Sequence, residues 1–224
     1  MEEVINMEEI SKDYLRSIID HTLLKPDATP KDIEKLCKEA IENNFFAVCV
    51  NSSYVELVKS FLSGSSIKIA SVVGFPLGAS STYAKVAETE KAIKDGADEI
   101  DMVIHIGLLK AKEYAKVEND IREVVKAASN RIVKVIIETC LLTQEEKIIA
   151  STLSVSAGAN FVKTSTGFST AGATVEDIQL IRSVVPSYIG VKASGGIRDY
   201  ETAVKMVKAG ATRIGASKSV EIVS

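Results

Sequence analysis

One lysine stands among residues that favour an extended strand, where a free charge is seldom found. Lys163 follows Phe161 and Val162 and precedes a Thr-Ser-Thr run that Gly167 ends. Side chains alternate along a strand, so Lys163 shares a face with Phe161 and Ser165. If that face is the interior, burial lowers the pKa of the amine and leaves a fraction free to attack a carbonyl. The alternative is a structural lysine that reaches out to water or pairs with a carboxylate.

Further charged residues interrupt other apolar segments. Asp101, Lys134, Glu138 and Lys192 each follow or precede residues typical of buried strands. One interpretation is structural: these charges, Lys134 and Glu138 above all, form ion pairs that fill the interior of the barrel. The other is functional: Lys163 and Lys192 on adjacent strands would repel, and a second cation beside an amine lowers its pKa. That is the condition for a Schiff-base lysine near neutral pH, and the residues alone leave open which lysine is the nucleophile.

Glycines that follow predicted strands indicate where the other end of a substrate would bind. Gly195 and Gly196 follow one strand, Gly215 and Ser217 lie at the end of another, and Gly167 ends the Lys163 segment. Exposed backbone N–H groups at such turns bind phosphate. Each glycine motif alone is also typical of a plain turn. Together they predict a small phosphorylated substrate.

Composition excludes several classes of protein. The 224 residues are 46% hydrophobic and 25% charged, and the net charge is −3, so we expect no binding to nucleic acid or to an anionic membrane. The acidic N-terminus lacks the basic and apolar pattern of a signal peptide, which predicts a cytoplasmic protein. Three cysteines, Cys37, Cys49 and Cys140, suit reduced thiols. With His21 and His105 as the two histidines, we expect no metal and no cofactor.

Strands and helices alternate along the whole chain. Apolar runs and their flanking turns predict eight strands, at 19–24, 45–50, 67–74, 99–104, 132–139, 161–167, 189–196 and 213–217. We expect an acidic amphipathic helix at 7–18 before the first strand, and helices between the strands. Eight evenly spaced units predict a (β/α)8 barrel that forms a single domain over residues 1–224. A doubly wound open sheet is the alternative, but the expected Gly-x-Gly-x-x-Gly is missing.

Capping residues predict where several helices begin. Thr29 is an N-cap before Pro30, and an apolar stripe of Ile33, Leu36, Cys37, Ala40 and Ile41 follows. Thr143 and Glu146 form a capping box. In a closed barrel, all the strands end at the same rim, so their polar residues converge on one site.

Five segments in chain order resemble the signature segments of the deoxyribose-phosphate aldolase family. They are DHTLL at 20–24, EIDMV at 99–103, VIIETCLL at 135–142, VKTSTGF at 162–168 and VKASGGIR at 191–198. The resemblance runs from about Asp20 to Ser217 and so covers nearly the whole chain. Five separate matches make it specific.

The resemblance implies a metal-free class I aldolase that interconverts 2-deoxy-D-ribose 5-phosphate with D-glyceraldehyde 3-phosphate and acetaldehyde, in the catabolism of deoxyribose phosphates. It implies that Lys163 is the Schiff-base lysine and that Asp101 and Lys192 form the proton-transfer pair. The implied substrate- and phosphate-binding residues are Thr22, Leu24, Thr166, Gly167, Gly195, Gly196, Gly215 and Ser217. Barrels of this kind pair through outer helices, so we expect a homo-oligomer, either a dimer or a tetramer.

Three positions bear on how far the resemblance extends. Some members carry a tyrosine in a longer tail, and none follows Tyr200 here, so we expect slower or water-mediated proton transfer at the enamine carbon. His105 stands where many relatives have asparagine, and we expect it to form structural hydrogen bonds. Cys49 lies near the predicted site as a buried thiol. A transaldolase-like Schiff-base enzyme and a phosphosugar-binding barrel without turnover stay open as alternatives.

Overall fold

The fold is a closed barrel of eight parallel strands, described by a computed structural model over residues 10–224. The strands pair in chain order, and β8 returns to pair with β1. Their bounds are β1 Ile19–Leu23, β2 Ala47–Asn51, β3 Lys68–Val73, β4 Glu99–Val103, β5 Ile132–Ile136, β6 Phe161–Lys163, β7 Gly190–Ser194 and β8 Arg213–Ala216. The predicted (β/α)8 barrel is therefore confirmed.

Helices connect the strands and form the outer layer. They are α1 Lys12–Ile18, α2 Pro30–Glu42, α3 Val55–Phe61, α4 Thr82–Asp95, α5 Ile106–Lys110, α6 Tyr114–Ala127, α7 Gln144–Ser156, α8 Val175–Val184, α9 Tyr200–Lys208 and α10 Ser219–Val223. The helix expected at 7–18 begins at Lys12. Residues 1–9 lie outside the described residues, and they include the N-terminal segment that lacks a signal-peptide pattern. None of the helices in residues 10–224 is long and apolar enough to cross a membrane.

The helices begin at the predicted caps, but one residue of the predicted apolar stripe in α2 is not buried. The Thr29 hydroxyl accepts a hydrogen bond from the Asp32 N–H, and Thr143 pairs with Glu146 in the same way at the start of α7. In α2 the predicted stripe is buried except for Ile41, which is 45% exposed. Ile41 lies eight residues after Ile33, and this spacing turns it to the flank of the helix.

Most strands are shorter than predicted, and in β5 and β6 this changes the position of a charged residue. β5 ends at Ile136, so Glu138 lies beyond the strand in a left-handed turn (φ 56°), and the prediction that it interrupts the strand is wrong. β6 ends at Lys163 itself, which stands at the rim and not within a longer strand. Beyond both ends, the Thr139 N–H donates to the Thr164 carbonyl at 3.0 Å. The two segments thus stay joined above the barrel.

Candidate active site

Asp101 lies at the centre of a buried group of charges inside the barrel. Its Oδ2 accepts hydrogen bonds from Lys163 Nζ at 2.8 Å and from Lys192 Nζ at 2.7 Å. The two lysines face each other because Lys163 on β6 and Lys192 on β7 are paired in register. The structure therefore brings together the three residues that the sequence analysis selected for chemistry.

A second layer of charges supports these three from below. Lys134 Nζ lies 2.6 Å from both Asp101 Oδ1 and Glu99 Oε2. Arg213 Nη1 contacts Glu99 at 3.0 Å and Asp20 Oδ1 at 2.9 Å. Successive strands supply these side chains from their inward faces, so one ionic network spans the interior.

The charges of this network balance only if one lysine is neutral. Its cations are Lys134, Lys163, Lys192 and Arg213, and its carboxylates are Asp20, Glu99 and Asp101. All seven side chains are at most 7% exposed. An uncompensated charge is expensive in such an environment, so loss of one proton from the group is favoured.

The pKa directions show which lysine holds its proton less tightly. Burial, together with the nearby Lys192 ammonium, lowers the pKa of Lys163 in spite of Asp101. Burial also disfavours the charged form of Lys192, but Asp101 and Asp20 overcome it and raise the pKa of that lysine. The difference arises because Lys192 Nζ also donates to Asp20 Oδ2, whereas Asp101 is the one carboxylate within residues 10–224 that Lys163 contacts.

A cavity of about 340 Å³ opens above Lys163 at the carboxyl ends of the strands. Lys163 is 3% exposed and lines it, whereas Asp101 and Lys192 are fully buried beneath. The cavity is also lined by every residue that the resemblance implies for binding, namely Thr22, Leu24, Thr166, Gly167, Gly195, Gly196, Gly215 and Ser217. These residues therefore surround one space that ends at the lysine with the lowered pKa.

Backbone N–H groups around this cavity are suited to an anion. Within residues 10–224, the N–H groups of Gly167, Gly195, Gly196 and Ser217 have no hydrogen-bond acceptor. At Gly215 a Cβ would lie 2.9 Å from Lys192 Cε, so glycine leaves the lysine room to cross toward Asp101. The glycines thus both expose amides and let the lysine side chain pass.

A larger cavity of about 640 Å³ lies beside the first, and neither Lys163 nor Lys192 lines it. His21 lies at its wall, where Nε2 contacts Glu39 at 2.9 Å and Nδ1 contacts Ser219 Oγ at 3.0 Å. The two cavities share four lining residues, Thr22, Leu23, Lys25 and Ser217. The chemistry expected of a buried amine belongs to the smaller cavity.

The two positions singled out beside the site have clear surroundings. His105 Nδ1 accepts a hydrogen bond from the Leu108 N–H at 3.2 Å and so caps α5, which agrees with the structural role expected of it. Cys49 is fully buried, as expected of a core thiol, and burial raises its pKa. Among residues 10–224, no group of three or more histidine, cysteine, aspartate or glutamate side chains is arranged to hold a metal ion. The expectation of a metal-free site stays a prediction.

Sequence reasoning gave no role in this network to three of its members. Asp20, Glu99 and Arg213 lie in predicted strands but were assigned no part in the site. The same signal that selected Asp101, a charge within an apolar strand, was present at Glu99 and Arg213. The sequence could not predict that Arg213 pairs with Asp20, because the two residues are 193 positions apart in the chain.

Comparison with known proteins identifies the family. Residues 16–219 match the model of the DeoC/LacD family aldolases. A deoxyribose-phosphate aldolase of Coprothermobacter proteolyticus is 66% identical over 92% of this chain and 94% of its own length, and one of Thermococcus kodakarensis is 58% identical over 96% and 97%. The tetrameric deoxyribose phosphate aldolase of Aeropyrum pernix superposes with a TM-score of 0.90 at 36% identity, covering 95% of this chain and 91% of that one. The family model and these relatives each match nearly the whole chain, and the chain therefore belongs to the DeoC/LacD family of aldolases.

Proposed function

We propose that this aldolase cleaves 2-deoxy-D-ribose 5-phosphate reversibly to D-glyceraldehyde 3-phosphate and acetaldehyde through a Schiff base on Lys163. The observation that carries the proposal is the position of Lys163. Its amine lies at the base of the cavity, 2.8 Å from Asp101, and its pKa is lowered by burial and by Lys192. A neutral amine at this point can attack the C1 aldehyde of an open-chain sugar.

The proposed reaction begins and ends at the Lys163 nitrogen. The amine adds to C1, and loss of water from the carbinolamine leaves a protonated imine. The C3 hydroxyl then loses its proton, the C2–C3 bond breaks, and its electron pair moves into the imine to give an enamine. Glyceraldehyde 3-phosphate leaves, a proton adds to C2, and hydrolysis of the resulting imine releases acetaldehyde and the free amine.

Asp101 and Lys192 are the proposed proton-transfer pair. Asp101 Oδ2 contacts both lysine nitrogens, so a proton can move between them over single hydrogen bonds. Lys192 keeps its proton at neutral pH because two carboxylates raise its pKa, and it is therefore a reserve of acid for dehydration of the carbinolamine. Neither side chain lines the cavity, and both lie beneath Lys163. Their proposed action is therefore limited to the end of the substrate that is bound to Lys163.

The phosphate is proposed to bind at the opposite side of the cavity. The N–H groups of Gly167, Gly195, Gly196 and Ser217 support this assignment, because the part of the chain that the structure describes gives them no acceptor. Binding there would fix the distance from phosphate to Lys163 and hold C1 near the amine. Thr22 and Leu24 are proposed to contact the reacting carbons from β1 and the residue after it.

Reductive trapping tests this mechanism. Acetaldehyde and borohydride should leave one ethyl group on Lys163, located by intact mass and peptide mapping, and Lys163→Ala should abolish the adduct. Lys25 is the matched internal control, since it is the other lysine that lines the cavity and should stay unmodified. Cleavage of deoxyribose 5-phosphate without an adduct would disprove the Schiff base, and absence of both would favour a phosphosugar-binding barrel.

Two further measurements test the remaining alternatives. Poor acceptance of acetaldehyde as a donor would favour a transaldolase-like enzyme. Loss of cleavage in the presence of chelators would contradict a metal-free reaction.

We also propose that the protein is a cytoplasmic homo-oligomer. Its three cysteines are unpaired, and Cys37 and Cys49 are buried, which suits a reducing compartment. The Aeropyrum pernix relative is described as a tetramer. Light scattering coupled to size-exclusion chromatography should give a mass of two or four chains, and a monomeric mass would contradict the proposal.

A further inference from the structure

Glu138 is a buried carboxylate without a cationic partner. It is 2% exposed, and no lysine, arginine or histidine in residues 10–224 forms an ion pair with it. Its backbone is in the left-handed region (φ 56°, ψ 66°), which a residue with a Cβ seldom adopts because the Cβ crowds the following carbonyl. A residue that is both strained and unpaired is held there by other contacts, so those contacts indicate its role.

Both carboxylate oxygens of Glu138 accept hydrogen bonds from Thr166 in the cavity wall, and the Cys140 thiol also donates to Oε1 at 4.0 Å. Oε1 accepts a hydrogen bond from the Thr166 N–H at 3.2 Å, and Oε2 accepts one from the Thr166 hydroxyl. Thr166 Oγ1 in turn accepts from the Phe168 N–H at 3.0 Å. The carboxylate therefore fixes the segment after β6 directly at Thr166 and, through the Thr166 hydroxyl, at Phe168.

This arrangement leaves one N–H of the segment without a partner. The N–H groups of Thr166 and Phe168 are both engaged, whereas the Gly167 N–H between them has no acceptor in residues 10–224. Gly167 is exposed, lines the cavity and has a φ of 83°. The Phe168 ring packs edge-on against Phe75, with centroids 5.3 Å apart, and so holds the far side of the segment.

We propose that Glu138 is a positioning residue that fixes the 166–168 segment so that the Gly167 N–H faces the phosphate of the substrate. The inference rests on the proposed function, because it assumes a phosphorylated substrate in this cavity. It also refines the part that Thr166 has in binding. Since both donors of Thr166 are occupied by Glu138, this residue shapes the phosphate site and does not donate to the phosphate.

The test compares two substrates that differ only in the phosphate, 2-deoxyribose 5-phosphate and 2-deoxyribose. The amide of Glu138→Gln can accept one of the two hydrogen bonds from Thr166, since its nitrogen is a donor. The measured ratio is kcat/KM for 2-deoxyribose 5-phosphate divided by kcat/KM for 2-deoxyribose. In Glu138→Gln this ratio should be about tenfold lower than in the wild type, as expected for loss of one hydrogen bond to a charged group. The fall should lie mainly in KM for the phosphorylated substrate.

A neighbouring variant and a conservative variant provide the controls. Thr139 lies next to Glu138, and its buried hydroxyl has no hydrogen-bond partner among the described residues, so Thr139→Val should keep the wild-type ratio. If Glu138→Gln does not fold, Thr166→Val should lower the ratio and Thr166→Ser, which keeps the hydroxyl, should restore it. Equal losses on both substrates, or no loss on either, would overturn the inference.

A binding measurement separates this inference from the proposed function. Inorganic phosphate, titrated calorimetrically into the wild-type protein and Glu138→Gln, should bind about tenfold more weakly to the variant. Failure of the wild type to cleave deoxyribose 5-phosphate would refute the proposed function alone. Equal phosphate affinity of the two proteins would refute the role of Glu138, whatever the substrate.

Discussion

Replacing Lys192 with methionine should move the pH dependence of Lys163 reactivity to higher pH. The two ammonium nitrogens contact the same oxygen of Asp101, at 2.7 and 2.8 Å. At a separation of about 5 Å and an effective dielectric constant of about 20, two unit charges repel by about 3 kcal/mol. Removing Lys192 removes this repulsion from protonated Lys163, and the free amine at a pH below its pKa should become roughly a hundredfold scarcer. Asp20 would lose Lys192 but keep Arg213 at 2.9 Å, and its less compensated negative charge would act in the same direction.

The assay is the rate of reductive ethylation of Lys163 by acetaldehyde and cyanoborohydride, measured across the pH range in which both proteins stay folded. Loss of Lys192 as the acid for carbinolamine dehydration would lower the rate of imine formation itself, so the midpoints of the two pH profiles are compared and not the absolute rates. Lys147→Met is the control, because Lys147 forms an ion pair with Asp177 at 2.6 Å on the outer helices. A midpoint for Lys192→Met at or below that of the wild type would refute the reasoning about the buried charges.

Three further perturbations have defined outcomes. Burial alone would raise the pKa of Asp20, but the neighbouring cations outweigh burial and lower it. The ionised carboxylate therefore contributes stability above about pH 4, and this contribution is lost in acid. Asp20→Asn should consequently flatten the decline of Tm in acid. Lys85→Met should destabilise by about 3–5 kcal/mol in denaturant titrations, because Asp120 loses its buried cation, and adding Asp120→Leu should recover most of that loss. Gly172→Ala would place a Cβ 2.1 Å from the Gly195 carbonyl oxygen, so kcat/KM for the phosphorylated substrate should fall; an unchanged value would contradict this.

The barrel and the meeting of Lys163, Asp101 and Lys192 could be predicted because both follow from local patterns. Alternating elements predict closure, and closure brings the inward charges of neighbouring strands together. The protonation states could not be predicted in this way. They depend on Asp20, which lies 172 residues before Lys192 and reaches it only because β8 pairs with β1.

Glu138 shows a second limit of sequence reasoning. Its apolar neighbours predict a longer strand, and no local preference favours a glutamate at a positive φ. The turn is stabilised by hydrogen bonds from Thr166, which is 28 residues away.

The helices α5 and α10 were not predicted from the sequence for a different reason, because five residues are too few to display a helical period.

The lower end of the barrel restricts how water reaches the amine. The Arg213 guanidinium, which belongs to the ionic network, packs 3.8 Å from the centre of the Phe46 ring and 5.3 Å from that of Phe161. The charged side chains of the network are nearly buried, whereas the cavity above Lys163 opens at the carboxyl ends of the strands. Water would therefore reach the amine from the cavity, and a bound sugar phosphate would cover that route. Because the two-carbon fragment stays covalently attached to Lys163, its hydrolysis would wait until the phosphate-bearing fragment departs, and acetaldehyde would leave last.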